Sequence, residues 1–280
     1  MGFFIPKKAT LTNSVFFLNF KRIFVEIPPN AIAMNVKQYL DSTYLKTASQ
    51  AGLSEEENKS VVEKEITEAI VEGFKLIMIR PDQVALAKEM ILKANSPLLI
   101  GTVIDFPEGK SNIETKIKEA NEAIENGADD LDFVCNYEAF QNGDIALVKE
   151  EILIGTQIGL ASNKTVKWII EVAALSDKEI IQLSALIKNV VVSNFKEEDY
   201  ASVFVKSSTG FFKTENNLPN GATVPAIIMM LENASPLSVK AAGGIRSFAD
   251  AVEMIELGVK RIGTSAAKAI ANGENTTNQY

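Results

Sequence analysis

Short apolar segments alternate with longer charged segments along the chain from Met34 onward. The apolar segments are rich in Ile, Val, Leu and Phe and lack the polar alternation of a half-exposed strand, which predicts strands buried on both faces. A short strand is predicted around Gln38–Asp41. Seven more are predicted at Phe74–Ile79, Leu98–Ile104, Asp130–Val134, Val166–Glu171, Ala201–Lys206, Leu237–Lys240 and Arg261–Thr264.

The charged segments between these strands have the pattern of amphipathic helices. Ser54 with Glu57, and Ser176 with Glu179, have the spacing of a capping box at a helix N-terminus. Glycines follow the ends of three segments, as C-capping glycines do, at Gly73, Gly127 and Gly258. Helices are therefore predicted over segments that include Glu55–Val71, Glu114–Asn126, Asp144–Ile154, Asp177–Ile187 and Ser247–Leu257.

Regular alternation of strands and helices predicts a parallel sheet, either closed into a barrel or doubly wound. Eight strand–helix units in about 250 residues favour a single (β/α)8 TIM barrel, and we place it at residues 34–270. The first 33 residues lack this patterning and are predicted to be an N-terminal extension, with Met34 as the natural start. Residues 271–280 are predicted to be a flexible C-terminal tail.

Composition narrows the chemistry that the chain can perform. The net charge of −8 argues against nucleic acid as the main partner, and no apolar run reaches the ~20 residues of a membrane span. The absence of histidine excludes Ser-His and Cys-His nucleophilic machinery and the commonest metal ligand. The single cysteine, Cys135, has no partner for a disulfide within the chain, which fits the cytoplasm. Acid–base chemistry therefore falls to Asp, Glu, Lys, Tyr or water.

Lysines end two neighbouring predicted strands, at Lys206 and Lys240. The strand ends of parallel α/β proteins line their sites. Each lysine on its own could extend its ammonium group from the strand end into water. Two ammonium groups about 5 Å apart at an effective dielectric near 20 repel by roughly 3 kcal/mol. One of them would then be neutral part of the time and able to form a Schiff base.

Other strand ends carry a carboxylate and glycine-bearing turns. Asp132 is either a structural partner of the lysines or the proton carrier that Schiff-base chemistry needs. Gly243 and Gly244 follow strand seven, while Thr264 and Ser265 follow strand eight. Turns in these two positions commonly bind phosphate through backbone N–H groups, although a Gly-Gly pair can also be only a tight turn.

These motifs together resemble the deoxyribose-phosphate aldolase family, in order along the chain. The Schiff-base motif Phe-Val-Lys-Thr-Ser-Thr-Gly-Phe is similar to Phe204–Phe211, and Lys-Ala-Ser-Gly-Gly-Ile-Arg is similar to Lys240–Arg246. The family's Asp-His-Thr-x-Leu-Lys, Thr-Val-Ile-Gly-Phe-Pro, Gly-Ala-Asp-Glu-Ile-Asp and Arg-Ile-Gly-Thr-Ser are similar to Asp41–Lys46, Thr102–Pro107, Gly127–Asp132 and Arg261–Ser265. Gly221–Thr223 also follows the family pattern.

The resemblance implies a class I aldolase that reversibly cleaves 2-deoxy-D-ribose 5-phosphate to acetaldehyde and D-glyceraldehyde 3-phosphate, without cofactor or metal. It implies that Lys206 forms the Schiff base, Lys240 tunes it, and Asp132 is the acid–base carboxylate. The implied partners are the phosphosugar and aldehyde substrates, and a homodimer or larger homo-oligomer is an option. The implied phosphate-binding residues are Thr209, Gly210, Gly243, Gly244, Thr264 and Ser265, with Asp41, Thr43 and Tyr280 as accessory candidates.

Four positions depart from the family motifs. Ser42 replaces a histidine, Asp105 a glycine, Ser207 a threonine and Ala242 a serine. Asp105 would weaken phosphate binding if its carboxylate pointed into the site. Two alternatives therefore stay open: a Schiff-base aldolase for a related phosphorylated sugar, and a sugar-phosphate-binding barrel with impaired catalysis.

Overall fold

A closed barrel of eight parallel strands forms the centre of the structure, a computed structural model that describes residues 35–215 and 218–274. The strands pair in chain order, and β1 closes the barrel against β8. This confirms the predicted (β/α)8 fold. The strands are β1 (Leu40–Thr43), β2 (Leu76–Ile79), β3 (Leu99–Ile104), β4 (Asp130–Val134), β5 (Thr165–Ile169), β6 (Val203–Lys206), β7 (Ser238–Ala242) and β8 (Arg261–Thr264).

Helices follow the strands and cover the outside of the barrel. The predicted capping boxes of Ser54 with Glu57 and Ser176 with Glu179 are both present, and Gly73 and Gly258 take left-handed C-cap conformations. The helices are α1 (Ala48–Ala51), α2 (Glu55–Glu72), α3 (Val84–Lys93), α4 (Ile113–Glu125), α5 (Tyr137–Gln141), α6 (Ile145–Ala161), α7 (Asp177–Asn194), α8 (Val224–Ala234), α9 (Phe248–Leu257) and α10 (Ala267–Ala271). No described helix is both long and apolar enough to cross a membrane.

Helix α6 is longer than predicted, because it continues past Ile154 through two glycines. A Cβ atom at Gly155 would lie 2.8 Å from the Trp168 ring, and one at Gly159 would lie 2.2 Å from a methyl group of Val166. Both distances are shorter than real contacts, so these glycines permit the helix to pack directly on β5. Their helix-weakening effect is outweighed by this packing.

The predicted first strand is wrong by two residues. Gln38 closes a single 3-10 turn at Val36–Gln38, in which the Gln38 N–H donates to the Asn35 carbonyl oxygen. The Tyr39 N–H also donates back into this turn, to the Val36 carbonyl oxygen, so the strand begins at Leu40 and extends to Thr43, opposite Met78. The predicted N-terminal extension, the tail residues beyond 274, and Tyr280 lie outside the described residues.

Candidate active site

Lys206 and Lys240 lie side by side in the barrel, paired in register on β6 and β7. Both are buried, and both ammonium groups bond to one oxygen of Asp132 on β4. The Asp132 Oδ2 atom is 2.8 Å from Lys206 Nζ and 2.9 Å from Lys240 Nζ. The predicted proximity of the two lysines is therefore confirmed, and Asp132 joins them. The predicted end of strand seven at Lys240 is wrong, because β7 continues to Ala242 and only Lys206 ends its strand.

Further charged side chains extend this contact into a closed ring. The other oxygen of Asp132 lies 2.8 Å from Lys167 Nζ, which is also 2.7 Å from Asp130. The Arg261 guanidinium lies 3.1 Å from Asp130 and 2.5 Å from Asp41. Asp41 in turn lies 2.6 Å from Lys240 Nζ. We call these six residues the charge ring: Asp132, Lys167, Asp130, Arg261, Asp41 and Lys240.

The charge ring has no net charge, and Lys206 is a further cation that has no carboxylate of its own within the described residues. Among the described residues, the ring contains three carboxylates and three cations, while Lys206 only shares Asp132 with Lys240. An unbalanced buried charge is costly, and a buried lysine can avoid the cost by losing its proton. The arrangement therefore favours a neutral amine at Lys206.

The pKa values of these groups follow the same logic. Burial lowers the pKa of Lys206 from 10.5 to about 8, and the neighbouring Lys240 and Lys167 add to this effect against the attraction of Asp132. Burial raises the pKa of Asp132, but Lys167, Lys206 and Lys240 together outweigh it and hold that pKa well below its usual range. Asp132 is therefore an ionised hydrogen-bond acceptor, and the lowered pKa of Lys206, about 8, makes its neutral amine accessible near neutral pH.

A cleft of about 540 Å³ opens above Lys206 at the carboxyl ends of the strands. Asp132 and Lys240 lie beneath its floor, fully buried. Every residue predicted to bind phosphate lies on the wall of this cleft, together with Thr43. The residues in question are Thr209, Gly210, Gly243, Gly244, Thr264 and Ser265.

Backbone donors on this wall are available for an anion. The N–H groups of Gly210, Gly243 and Gly244 donate to no acceptor within residues 35–215 and 218–274. Gly243 and Gly244 have φ values of 87° and 83°, and successive N–H groups in such turns form anion-binding concavities. A side chain at Gly221 would collide with the Gly243 backbone, so these two turns pack tightly together.

Several threonine hydroxyl groups on the wall already donate to other protein groups. Thr209 donates both its N–H and its hydroxyl to the Glu171 carboxylate, and Thr264 donates its hydroxyl to the Ile245 carbonyl oxygen. The phosphate-binding role of Thr209 and Thr264 stays a prediction, and in this structure both shape the turns rather than offer free donors. Thr43 likewise donates its hydroxyl to the Asp41 carbonyl oxygen.

Sequence reasoning does not single out three members of the charge ring, namely Lys167, Asp130 and Arg261. Their signal is charge inside otherwise apolar strands, as at Asp130-Leu131-Asp132 and in Val166-Lys167-Trp168. Alternate residues of a strand face the same side, so Asp130 and Asp132 must share the barrel interior.

The one cysteine, Cys135, is a core residue and not a nucleophile, as its place in an apolar strand end predicts. Burial raises the pKa of its thiol to about 12, which leaves it unreactive near neutral pH. Covalent chemistry in the described part of the chain therefore depends on the lysines.

Known proteins are similar to this chain in sequence and in fold, although no protein-family model matches it. A deoxyribose-phosphate aldolase of Thermococcus gammatolerans is 35% identical over 243 residues, which cover 86% of this chain and 97% of that protein. The chain belongs to the deoxyribose-phosphate aldolase family. A Streptococcus pneumoniae deoxyribose-phosphate aldolase is also 35% identical, over 88% of this chain and 100% of that protein. The solved tetrameric deoxyribose phosphate aldolase of Aeropyrum pernix superimposes with a TM-score of 0.68 at 25% identity, over 85% of this chain and 89% of that one.

None of the four departures from deoxyribose-phosphate aldolase motifs is a member of the charge ring. Ser42 follows Asp41 on β1, so alternation points its side chain away from the barrel interior. Ser207 accepts a hydrogen bond from the Ala242 N–H at 2.9 Å and donates one to the Ala242 carbonyl oxygen at 2.8 Å. The hydroxyl of Ser207 thus ties β6 to β7 directly after Lys206.

Asp105, where deoxyribose-phosphate aldolases have glycine, does not offer its carboxylate to a phosphate. Its φ of 54° lies in the left-handed region, which suits a glycine position, and Asp is among the residues that tolerate it. The carboxylate accepts hydrogen bonds from the N–H and hydroxyl of Ser111 and lies 3.5 Å from buried Lys116. Lys116 is also paired with Glu151 at 2.8 Å. The Asp105 carboxylate therefore stabilises the loop after β3 through Ser111 and Lys116.

Proposed function

We propose that this chain reversibly cleaves 2-deoxy-D-ribose 5-phosphate to acetaldehyde and D-glyceraldehyde 3-phosphate, with Lys206 as the Schiff-base nucleophile. The observation that carries the proposal is the position of Lys206 as the one cation beside a neutral charge ring, at the floor of a cleft with free backbone N–H groups among the described residues. A lowered lysine pKa supplies the neutral amine, and the N–H groups supply an anion site for the phosphate.

The first step is attack of the neutral Lys206 amine on the C1 aldehyde of the open-chain sugar, which gives a carbinolamine. Loss of water from the carbinolamine requires a proton. Asp132 Oδ2 contacts the Nζ atoms of both Lys206 and Lys240, so it offers a route from the Lys240 ammonium to the reacting centre. Asp132 is ionised before and after this transfer, in keeping with its low pKa.

The protonated imine then accepts electrons from the C2–C3 bond. As this bond breaks, the C3 hydroxyl loses its proton, and C3 becomes the aldehyde carbon of glyceraldehyde 3-phosphate. The C1 and C2 atoms stay on Lys206 as an enamine, which takes up a proton at C2. Hydrolysis of the resulting imine releases acetaldehyde and restores the amine, so the cycle consumes no cofactor.

The substrate assignment is tested by comparing sugar phosphates. We expect release of acetaldehyde from 2-deoxyribose 5-phosphate, followed with a coupled alcohol dehydrogenase assay. Ribose 5-phosphate carries the same phosphate and chain length and differs at C2, so it is the matched control substrate. Faster cleavage of ribose 5-phosphate or of another phosphosugar would show that the substrate is assigned wrongly.

The activity should rise with pH through about 8, because only the neutral form of Lys206 attacks and its pKa is about 8. Below that pH most Lys206 is protonated, and each unit of further acidification removes about tenfold of the reactive amine. The measurement is kcat/KM for 2-deoxyribose 5-phosphate as a function of pH. A profile that stays flat down to about pH 5 would contradict a titrating Lys206.

We also propose that the enzyme works in the cytoplasm as a homo-oligomer. The single cysteine is buried, as expected for a chain that needs no disulfide. The Aeropyrum pernix relative is described as tetrameric. Light scattering of the purified protein tests the assembly, and a monomer at all concentrations would overturn that part of the proposal.

A further inference from the structure

Glu171 is a buried carboxyl group next to the cleft that belongs neither to the charge ring nor to the cleft wall. It lies just beyond the end of β5 and is 1% exposed. Its φ of 55° and ψ of 68° are left-handed, which is uncommon for a residue with a long side chain. Strained backbone of this kind persists where the surrounding structure holds it, and it clusters at functional sites.

The Glu171 carboxylate holds one segment, the loop that follows Lys206. One of its oxygens, Oε2, accepts hydrogen bonds from both the N–H and the hydroxyl of Thr209. The Thr209 hydroxyl oxygen then accepts the Phe211 N–H at 3.0 Å. Hydrogen bonds to Glu171 and from Phe211 therefore fix Thr209, and both the N–H and the hydroxyl of Thr209 donate to Glu171.

Gly210, which is half-buried, follows Thr209 in this loop. Gly210 lies between Thr209 and Phe211 on the cleft wall, with a φ of 83° and an N–H that has no acceptor in the described part of the chain. Its carbonyl oxygen is held by the Asn220 side chain at 3.3 Å. Hydrogen bonds thus fix the loop on each side of Gly210, while the Gly210 N–H finds no acceptor among residues 35–215 and 218–274.

We propose that Glu171 is a positioning residue that acts through Thr209 to hold the Gly210 N–H in place for the phosphate group of the substrate. This rests on the proposed function. A second observation supports it: the other oxygen of Glu171, Oε1, is buried without a hydrogen-bond partner among the described residues. Such a group costs stability, so its presence is better explained by the loop that it fixes than by packing.

The test separates phosphate recognition from chemistry by using two substrates, 2-deoxyribose 5-phosphate and unphosphorylated 2-deoxyribose. A Glu171→Ala variant should raise KM for the phosphorylated sugar by about tenfold or more, as expected for loss of the two hydrogen bonds that fix the loop. Its kcat/KM for 2-deoxyribose should stay within about threefold of the unmodified enzyme, since no phosphate is recognised. Inorganic phosphate should also inhibit this variant less.

Two further variants serve as controls for Glu171→Ala: one keeps the hydrogen-bond acceptor, and the other removes a glutamate elsewhere. Glu171→Gln keeps an oxygen that accepts from Thr209, so it should restore KM to within about threefold of the unmodified enzyme. Glu150→Ala removes a glutamate from an exposed position of α6 and should leave the kinetic constants for both substrates unchanged. If Glu171→Ala does not fold, Thr209→Val offers a second test. It removes the hydroxyl that donates to Glu171 and accepts from the Phe211 N–H, keeps the Thr209 N–H, and should raise the same KM. Thermal melting of each variant establishes that it is folded.

Two outcomes overturn the proposal in distinguishable ways. Equal loss of kcat/KM for both sugars in Glu171→Ala would mean that Glu171 supports the whole site and not the phosphate end. An unchanged KM for the phosphorylated sugar would mean that the loop does not depend on Glu171. Failure of the unmodified enzyme to cleave 2-deoxyribose 5-phosphate would instead refute the proposed function itself.

Discussion

A Lys206→Leu variant should lose aldol turnover by a factor on the order of 10⁶, the scale of loss when a covalent nucleophile is removed. The variant should nevertheless fold normally. Lys206 is the cation outside the charge ring, so its removal leaves three carboxylates balanced by three cations among the described residues. Turnover of 2-deoxyribose 5-phosphate and the thermal melting temperature are the two measurements.

The matched control for this variant is Lys149→Leu, which makes the same substitution at an exposed position of α6. It should keep full activity. Turnover that survives in Lys206→Leu would show that another residue is the nucleophile. A variant that melts far below the unmodified protein would contradict the neutral ring, because the remaining charges would then not be balanced.

A Lys240→Leu variant should lose activity near neutral pH and recover part of it in alkaline solution. Lys240 is one of the two lysines that lower the pKa of Lys206, and its loss also leaves Asp41 and Asp132 without a shared cation. The pKa of Lys206 must then rise, so less neutral amine is present. If the pKa returned from about 8 to its ordinary 10.5, the neutral fraction at pH 7 would fall by about 300-fold, and burial makes this an upper limit.

The pH dependence of kcat/KM distinguishes this explanation from others. The acidic limb of the Lys240→Leu profile should shift to higher pH than in the unmodified enzyme. Activity should recover only in part as pH rises, because the proton that Lys240 supplies through Asp132 is also lost. A loss of equal size at every pH would mean that Lys240 acts only as a proton donor. In that case Lys240 would not tune Lys206.

Local patterns are enough to predict the barrel and the position of Lys206 at the end of a buried strand. Uninterrupted apolar runs such as Val203-Phe204-Val205 predict strands buried on both faces, and a lysine at the end of one is visible in sequence. Strand order in a barrel follows chain order, so the sequence alone places Lys206 and Lys240 on neighbouring strands. The sign of the Lys206 pKa shift follows from that placement together with burial.

The charge ring cannot be predicted in the same way, because it depends on closure of the barrel. Arg261 and Asp41 are 220 residues apart in sequence and meet only because β8 pairs with β1. Which oxygen of Asp132 each lysine contacts depends on side-chain geometry that no strand pattern specifies. For the same reason, only the folded molecule shows where the Asp105 carboxylate points. It is also needed to see that Thr209 donates its hydrogen bonds to Glu171.

Trapping of the covalent intermediate tests the central claim most directly. The enzyme is incubated with acetaldehyde, reduced with borohydride and digested, and the modified peptide is identified by mass spectrometry. We predict one stable ethyl adduct, on Lys206, whose yield falls in parallel with activity as the pH is lowered through about 8. An adduct on a different lysine, or no adduct at saturating acetaldehyde, would contradict the assignment of Lys206 as the nucleophile.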